Sequence, residues 1–245
     1  MTRSIRRGPL ADGWEWLQNL PGCCATCNDW SAQRICTACT SRFARLAPRC
    51  SLCAARVVEP VGICGACLQS PPALDGTWAA VDYAFPWTQL VAQFKFRQGL
   101  DLATSLTELM ARNGPPADLP PRLILPVPLS ASRMRSRGYN QAWELARRLG
   151  KKLSWPVRHD VVLKTRDTPE QMALPRHRRH ANVHQAFSIT PRVGQTLAGE
   201  RVVLLDDVMT TGATANEIAR LLKGAGARSV EAWVFARTPS PQVGL

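Results

Sequence analysis

The stretch Val202-Val203-Leu204-Leu205-Asp206-Asp207-Val208-Met209-Thr210-Thr211-Gly212-Ala213-Thr214 carries the clearest chemistry in the chain. Four apolar residues read as a buried strand that ends in two adjacent carboxylates, after which a small-residue turn opens a helix. The turn supplies backbone N–H groups, threonine hydroxyls and a helix N-terminus, which together make an anion cradle. Carboxylates repel phosphate, so Asp206 and Asp207 suit vicinal hydroxyls or a magnesium ion instead. Phosphate at one end and a diol at the other describe a ribose 5-phosphate. An acidic strand end that merely caps the next helix needs one short polar residue, not this whole run.

Cysteine supplies a second constellation. All nine cysteines fall between Cys23 and Cys67, and eight of them form the C-x-x-C pairs Cys24/Cys27, Cys36/Cys39, Cys50/Cys53 and Cys64/Cys67. Each pair aims two sulfurs at one point, and two pairs complete a tetrahedral zinc site of four thiolates. Disulfides are the competing reading. Without an apolar signal segment, a reducing compartment and zinc are favoured. Such a short run buries little core, so metal must hold it together. The pairing of the knuckles is open between sequential ribbons and an interleaved module; sequential closure is preferred because each unit then closes locally. Cys23 is left over.

Positioning these groups requires a sizeable domain. The 245 residues, 45% of them hydrophobic, suffice for one α/β domain plus something small. No run approaches the ~18 apolar residues of a membrane span. Arg3, Arg6 and Arg7 resemble the start of a signal peptide, but Gly8 to Leu20 carries Asp12, Glu15, Gln18 and Asn19, so a cytoplasmic address is expected. The net charge of +13 is concentrated: thirteen Lys and Arg face four acids between Ser130 and His180. That field attracts polyanions, although a solvated basic face is the plainer alternative.

The sequence predicts a helix over 13–20 from Trp14, Leu17 and Leu20, and a stiff linker at Gln69 to Asp75. Strands are expected at Trp78–Tyr83, Leu123–Leu125, Val161–Leu163, Val202–Leu205 and Val230–Phe235. Helices are expected at Gln89–Phe96, Leu100–Met110, Asn140–Lys151 and Ala213–Lys223, with a Pro-rich turn from Gly114 to Pro121. Continuous apolar strands between helices argue a parallel sheet covered on both faces, with ligands beyond the carboxyl ends of its strands. The expected organisation is an N-terminal segment 1–20, a Cys-rich module 21–70, an α/β domain 71–238 and a tail 239–245.

The residues from Val202 to Thr214 resemble the signature of type I phosphoribosyltransferases. Further motifs narrow the resemblance to the ComF family of competence proteins: the cysteine knuckles, Phe94-Lys95-Phe96-Arg97, Pro126-Val127-Pro128, Arg137-Gly138-Tyr139-Asn140-Gln141, Arg166-Asp167-Thr168-Pro169-Glu170-Gln171 and Arg176 through Asn182. The resemblance implies a type I phosphoribosyltransferase fold preceded by a double zinc ribbon. It implies that Asp206 and Asp207 contact the ribose hydroxyls of phosphoribosyl pyrophosphate, and that Thr210, Thr211, Gly212, Ala213 and Thr214 hold its 5-phosphate. Val127 and Pro128 fall where type I enzymes hold pyrophosphate, although a rigid Pro-x-Pro turn is equally compatible. Arg137, with Asn140 and Gln141, would contact pyrophosphate and acceptor, while Arg133 and Arg135 read as surface charge. Arg166 to Asn182 resembles the loop that closes over this ligand, with Arg176, Arg178 and Arg179 facing the leaving group. His177, His180 and His184 read as part of that basic loop.

Implied cofactors are zinc, in one or two structural four-cysteine sites, and magnesium with phosphoribosyl pyrophosphate. Implied partners are that ligand, single-stranded DNA and other DNA-uptake or DNA-processing proteins. The implied function is DNA uptake in natural transformation, with phosphoribosyl transfer to an unassigned acceptor. The alternative is a conventional nucleobase-salvage or biosynthetic phosphoribosyltransferase whose zinc is purely structural.

Overall fold

A computed structural model describes residues 22–57, 62–96, 99–116, 119–120, 122–165, 186–191 and 197–239. The expected helix at 13–20, the Arg166–Asn182 segment and Arg176 lie outside these residues.

The domain is organised on a four-stranded sheet. It comprises β3 (Gly76–Asp82), β4 (Leu123–Pro126), β7 (Arg201–Met209) and β8 (Ser229–Arg237), in the order β3-β8-β7-β4. All three pairings are parallel, with Leu204 opposite Ala232 and Leu125 opposite Leu204. Parallel strands need crossovers, and the helices that provide them cover both faces. Val203, Leu205, Trp233 and Phe235 point into one core with residues of α3 (Trp87–Phe96), α4 (Leu102–Arg112) and α6 (Gln141–Leu153). Val202, Leu204, Ala232 and Val234 point into the other, beneath α7 (Ala213–Gly224). This is the two-residue alternation of a strand buried on both sides. The helices dock through apolar stripes, such as Ala142, Leu145, Ala146 and Leu149 on α6 and Ala215, Ile218, Ala219 and Leu222 on α7.

One strand departs from the all-parallel expectation. The residues around Val161–Leu163 form β5 (Val162–Lys164), which pairs antiparallel with β6 (Phe187–Ile189) in a separate two-stranded sheet. Leu163 is exposed, whereas a strand of the central sheet would bury both faces. The place beside β4 is taken briefly by Val157, which bridges Ile124 in parallel. Its neighbour Pro156 has no N–H and offers only its carbonyl, to Ile124 N at 2.9 Å. β7 also runs farther than its apolar residues imply. Its pairing continues through Asp206–Val234 and Met209–Arg237, so both carboxylates sit on the strand itself. A short helix, α5 (Ala131–Arg137), was not anticipated; it buries none of its residues.

The cysteine-rich region adds β1 (Gly22–Cys23), β2 (Trp30–Ser31), α1 (Thr37–Phe43) and α2 (Gly65–Gln69). Cys24, Ile35 and Cys39 join the core of α3, α4 and α6, while Ala54 joins the core beneath α7. The segment read as a linker is anchored to the domain. Asp75 exchanges bonds with Val230, and Ala73 N donates to Asn216 Oδ1 at 2.7 Å. Among the described residues, no helix is long and apolar enough to cross a membrane.

Candidate functional site

At the carboxyl end of β7 the chain turns through Thr210, Thr211 and Gly212 into α7. Gly212 has φ +80° and is the N-cap, with no side-chain cap bond. A Cβ there would stand 2.8 Å from Met209 Cε, so both conformation and space call for glycine. Gly212 brings no capping side chain to the N-terminus of α7, the end of a helix that favours an anion. Asn216 steadies the turn, donating to Gly212 O at 3.1 Å.

One pocket gathers Asp206, Asp207, Thr210 and Thr214 against Val127, Pro128, Arg133, Arg137 and Lys164. Gly212 and Ala213 line an adjoining recess under the turn with Val127 and Thr210. Thr211 lines neither; its Oγ1 accepts from Ala213 N at 3.3 Å. Thus Arg137, Val127, Pro128 and most of the turn converge on the two carboxylates. Asn140 and Gln141 also line the pocket, but their polar atoms serve the scaffold. Asn140 Oδ1 caps α6 and its Nδ2 donates to Val127 O at 3.0 Å. Gln141 Oε1 accepts from Arg137 at 3.2 Å.

The electrostatics are uneven. Asp206 is densely surrounded although part of its surface opens on the pocket. Burial and the neighbouring Asp207 carboxylate push its pKa up to about 7, against the pull of Lys95. Lys95 Nζ lies 3.0 Å from the buried Asp207 Oδ2, as an ion pair without hydrogen-bond alignment. Lys95 was not among the expected site residues. Its motif Phe94-Lys95-Phe96-Arg97 was visible, but nothing in its spacing indicates that α3 ends beside β7. Lys164, on the antiparallel β5, is a second unanticipated cation, and Tyr83 and Phe187 add rings to the lining. Arg133, expected as surface charge, also faces the pocket, whereas Arg135 is exposed. Elsewhere the basic run is partly neutralised: Arg147 and Arg148 pair with Glu144, and Arg158 with Asp160.

The cysteines form two groups in sequential pairing, Cys24/Cys27/Cys36/Cys39 and Cys50/Cys53/Cys64/Cys67, with sulfurs inside each group within 4.8 Å of one another. Cys27–Cys36 and Cys53–Cys64 sulfurs are 3.7 Å apart, close to the about 3.8 Å edge of a tetrahedron of four thiolates around zinc. Burial opposes ionisation of Cys24, yet amides of Cys36, Cys27 and Thr26 outweigh it and lower its pKa to about 6. Burial likewise opposes ionisation of Cys50, and amides of Cys64, Cys53 and Leu52 outweigh it and lower its pKa to about 7. Cys39 and Cys67 shift the other way, raised by burial and by the neighbouring sulfurs, so the fit of both donor sets to zinc rests on the convergence of their four sulfurs. Cys23 is exposed and belongs to neither group.

Residues 135–243 match the phosphoribosyl transferase domain family. The DNA utilization protein YhgH of Shigella flexneri is 34% identical over 234 residues, covering 91% of this chain and 100% of that protein. Competence protein F of Haemophilus influenzae is 32% identical over 209 residues, covering 83% of this chain and 90% of that one. Among solved structures, an allosteric regulatory enzyme of purine biosynthesis is similar over 54% of this chain and 25% of its own, at 22% identity and a TM-score of 0.36.

Proposed function

The chain belongs to the ComF family of competence and DNA-utilization proteins, and from that premise we propose that it binds magnesium phosphoribosyl pyrophosphate and single-stranded DNA in the cytoplasm during DNA uptake. One observation carries the first part: Asp206 and Asp207 share a pocket with Thr210 and Thr214, the two ends of the turn, and with Lys95, Arg133, Arg137 and Lys164. The turn takes the 5-phosphate, the carboxylates accept from the ribose hydroxyls, and the cations attract the diphosphate. Among the described residues Asp206 and Asp207 are the only carboxylates lining the pocket. They would face a magnesium ion brought in with the diphosphate, which would neutralise charge on the leaving group. In phosphoribosyl transfer to an acceptor, this chain's own part is orientation and charge stabilisation. Val127 and Pro128 support the diphosphate end, and the family resemblance assigns Arg176, which lies outside the described residues, to the same leaving group.

DNA binding is supported by the names of the relatives and by α5. Arg133, Arg135 and Arg137 lie along this helix, and Phe96 is 64% exposed beneath the Arg137 guanidinium at 5.0 Å. Cations beside an exposed ring suit a strand whose bases stack. DNA-uptake or DNA-processing proteins are the corresponding partners. A second reading, a phosphoribosyltransferase acting on a free nucleobase, is favoured by Tyr83 and Phe187, which offer ring surface inside the pocket.

Calorimetric titration of magnesium phosphoribosyl pyrophosphate into zinc-loaded protein tests the site. Saturable binding lost in Asp206→Asn/Asp207→Asn is the expected result, and no binding to the native protein overturns the proposal. Turnover on a free nucleobase without DNA would select the second reading.

A further inference from the structure

Arg237 ends β8 and is 6% exposed. Its Nε donates to the Cys53 carbonyl at 2.7 Å. Its Nη1 donates to the carbonyls of Met209 at 3.3 Å and Thr238 at 2.9 Å, and to that of Thr210. One guanidinium therefore joins the second cysteine group to the start of the phosphate turn. The knuckle is fixed at other points too: Ser51 O accepts from Thr77 N at 2.8 Å, and Leu52 O from Thr77 Oγ1 at 2.7 Å. Three consecutive carbonyls of the Cys50–Cys53 knuckle are thus bonded to the ends of β3 and β8. Arg49 and Arg56 add ion pairs to Asp82, the residue opposite Arg237.

Peptide planarity gives these bonds a consequence for the turn. In a trans peptide the carbonyl and the following N–H point in opposite directions. Holding the Met209 and Thr210 carbonyls toward Arg237 turns the N–H groups of Thr210 and Thr211 the other way. A planar fork with five donors can serve several such acceptors at once, which an ammonium group on a thinner stem cannot do with the same geometry. The first cysteine group docks elsewhere, through Trp87 Nε1 to Phe43 O at 3.0 Å and Arg34 to Asp101 at 2.6 Å.

We propose that Arg237 is a positioning residue for the phosphate turn, with the Cys50–Cys53 knuckle as its anchor. The second metal site then supports the sugar-phosphate site directly. This rests on the reading of Thr210–Thr214 as a 5-phosphate cradle.

The test is calorimetric titration of ribose 5-phosphate and of magnesium diphosphate into wild type, Arg237→Lys and Cys64→Ser, with bound zinc counted in each. Arg237→Lys is expected to keep both zinc ions and lose about tenfold in ribose 5-phosphate affinity. Diphosphate affinity should change little, so the ratio of the two shifts by a similar factor. Cys64→Ser, which leaves Arg237 in place but removes its anchor, should lose one zinc and shift the ratio the same way. It decides the matter if Arg237→Lys does not fold. Ribose 5-phosphate affinity within twofold of wild type in these variants overturns the proposal, as does equal weakening of both ligands. A wild type that binds no ribose 5-phosphate fails differently, because it removes the reading of the turn itself.

Discussion

Lys95 Nζ on α3 stands 3.0 Å from Asp207 Oδ2 at the end of β7, so the pocket's carboxylate pair carries its own counter-charge. The same lysine opposes the rise in the Asp206 pKa, which burial and Asp207 bring to about 7. A carboxylate accepts from a sugar hydroxyl best when ionised. Affinity for phosphoribosyl pyrophosphate should therefore climb between pH 6 and 8. Replacing Lys95 by Met removes the stabilising charge, so the midpoint of that climb should move up by about one pH unit. Calorimetric titration across this range measures it, and an unmoved midpoint would show that Lys95 does not act on the pair.

The same pKa has a consequence for stability. Asp206 holds its proton more tightly in the folded chain than in the unfolded one, where the pKa is near the ordinary 3.8 of an aspartate. Its contribution is thus favourable at low pH, is lost as pH rises from about 4 to about 7, and stays lost above that. Asp206→Asn removes the buried charge. It should melt higher than wild type at pH 8, with the difference shrinking at pH 5, while ligand binding is weakened. Thermal melting at the two pH values decides this.

Gly212→Ala tests the turn more locally. The new Cβ must accept φ +80° and a 2.8 Å approach to Met209 Cε, a strain of about 1–3 kcal/mol. The turn is expected to open. The melting temperature should fall by several degrees, and ribose 5-phosphate affinity should fall by more than the stability loss alone would cause. Unchanged phosphate affinity would mean that the turn is not the anion cradle.

Legibility in the sequence followed how local each signal was. The β7–turn–α7 unit was visible because four apolar residues, two acids and a small-residue turn are consecutive. The sequential cysteine groups were visible because each closes within a short span. Lys95 was invisible as a site residue, since its approach to Asp207 depends on where α3 ends relative to β7. α5 has no apolar stripe; only its caps, Ser130 accepting from Arg133 N and Gly138 at φ +77°, marked it. A three-residue strand such as β5 reads alike in either direction, so its antiparallel pairing had no sequence signature.

Metal content should report two zinc ions per chain, one per cysteine group. The two groups should differ in what they support. Cys24, Ile35 and Cys39 are buried in the core with α3 and α4, so Cys39→Ser should lower the melting temperature by about 10 °C, corresponding to roughly 3 kcal/mol in a chain of this size. Elemental analysis with thermal melting measures both. A variant that loses one zinc but melts as wild type would detach this group from the core.

Arg135 and Phe96 separate the two contributions expected in DNA binding. Arg135 is exposed on α5, and a phosphate contact there releases counterions. Arg135→Ala should therefore weaken binding of a single-stranded oligonucleotide and flatten the slope of log K against log salt by ~0.7. Phe96 acts through its ring, so Phe96→Ala should weaken binding by about 1–3 kcal/mol with the slope unchanged. The two effects are measured together by titrating a labelled oligonucleotide at several salt concentrations. Loss of slope in Phe96→Ala would mean that the ring orients the Arg137 guanidinium stacked on it rather than a base. Wild-type behaviour in both variants would move the strand off α5 altogether, leaving the basic run there to serve the diphosphate end of the pocket through Arg133 and Arg137.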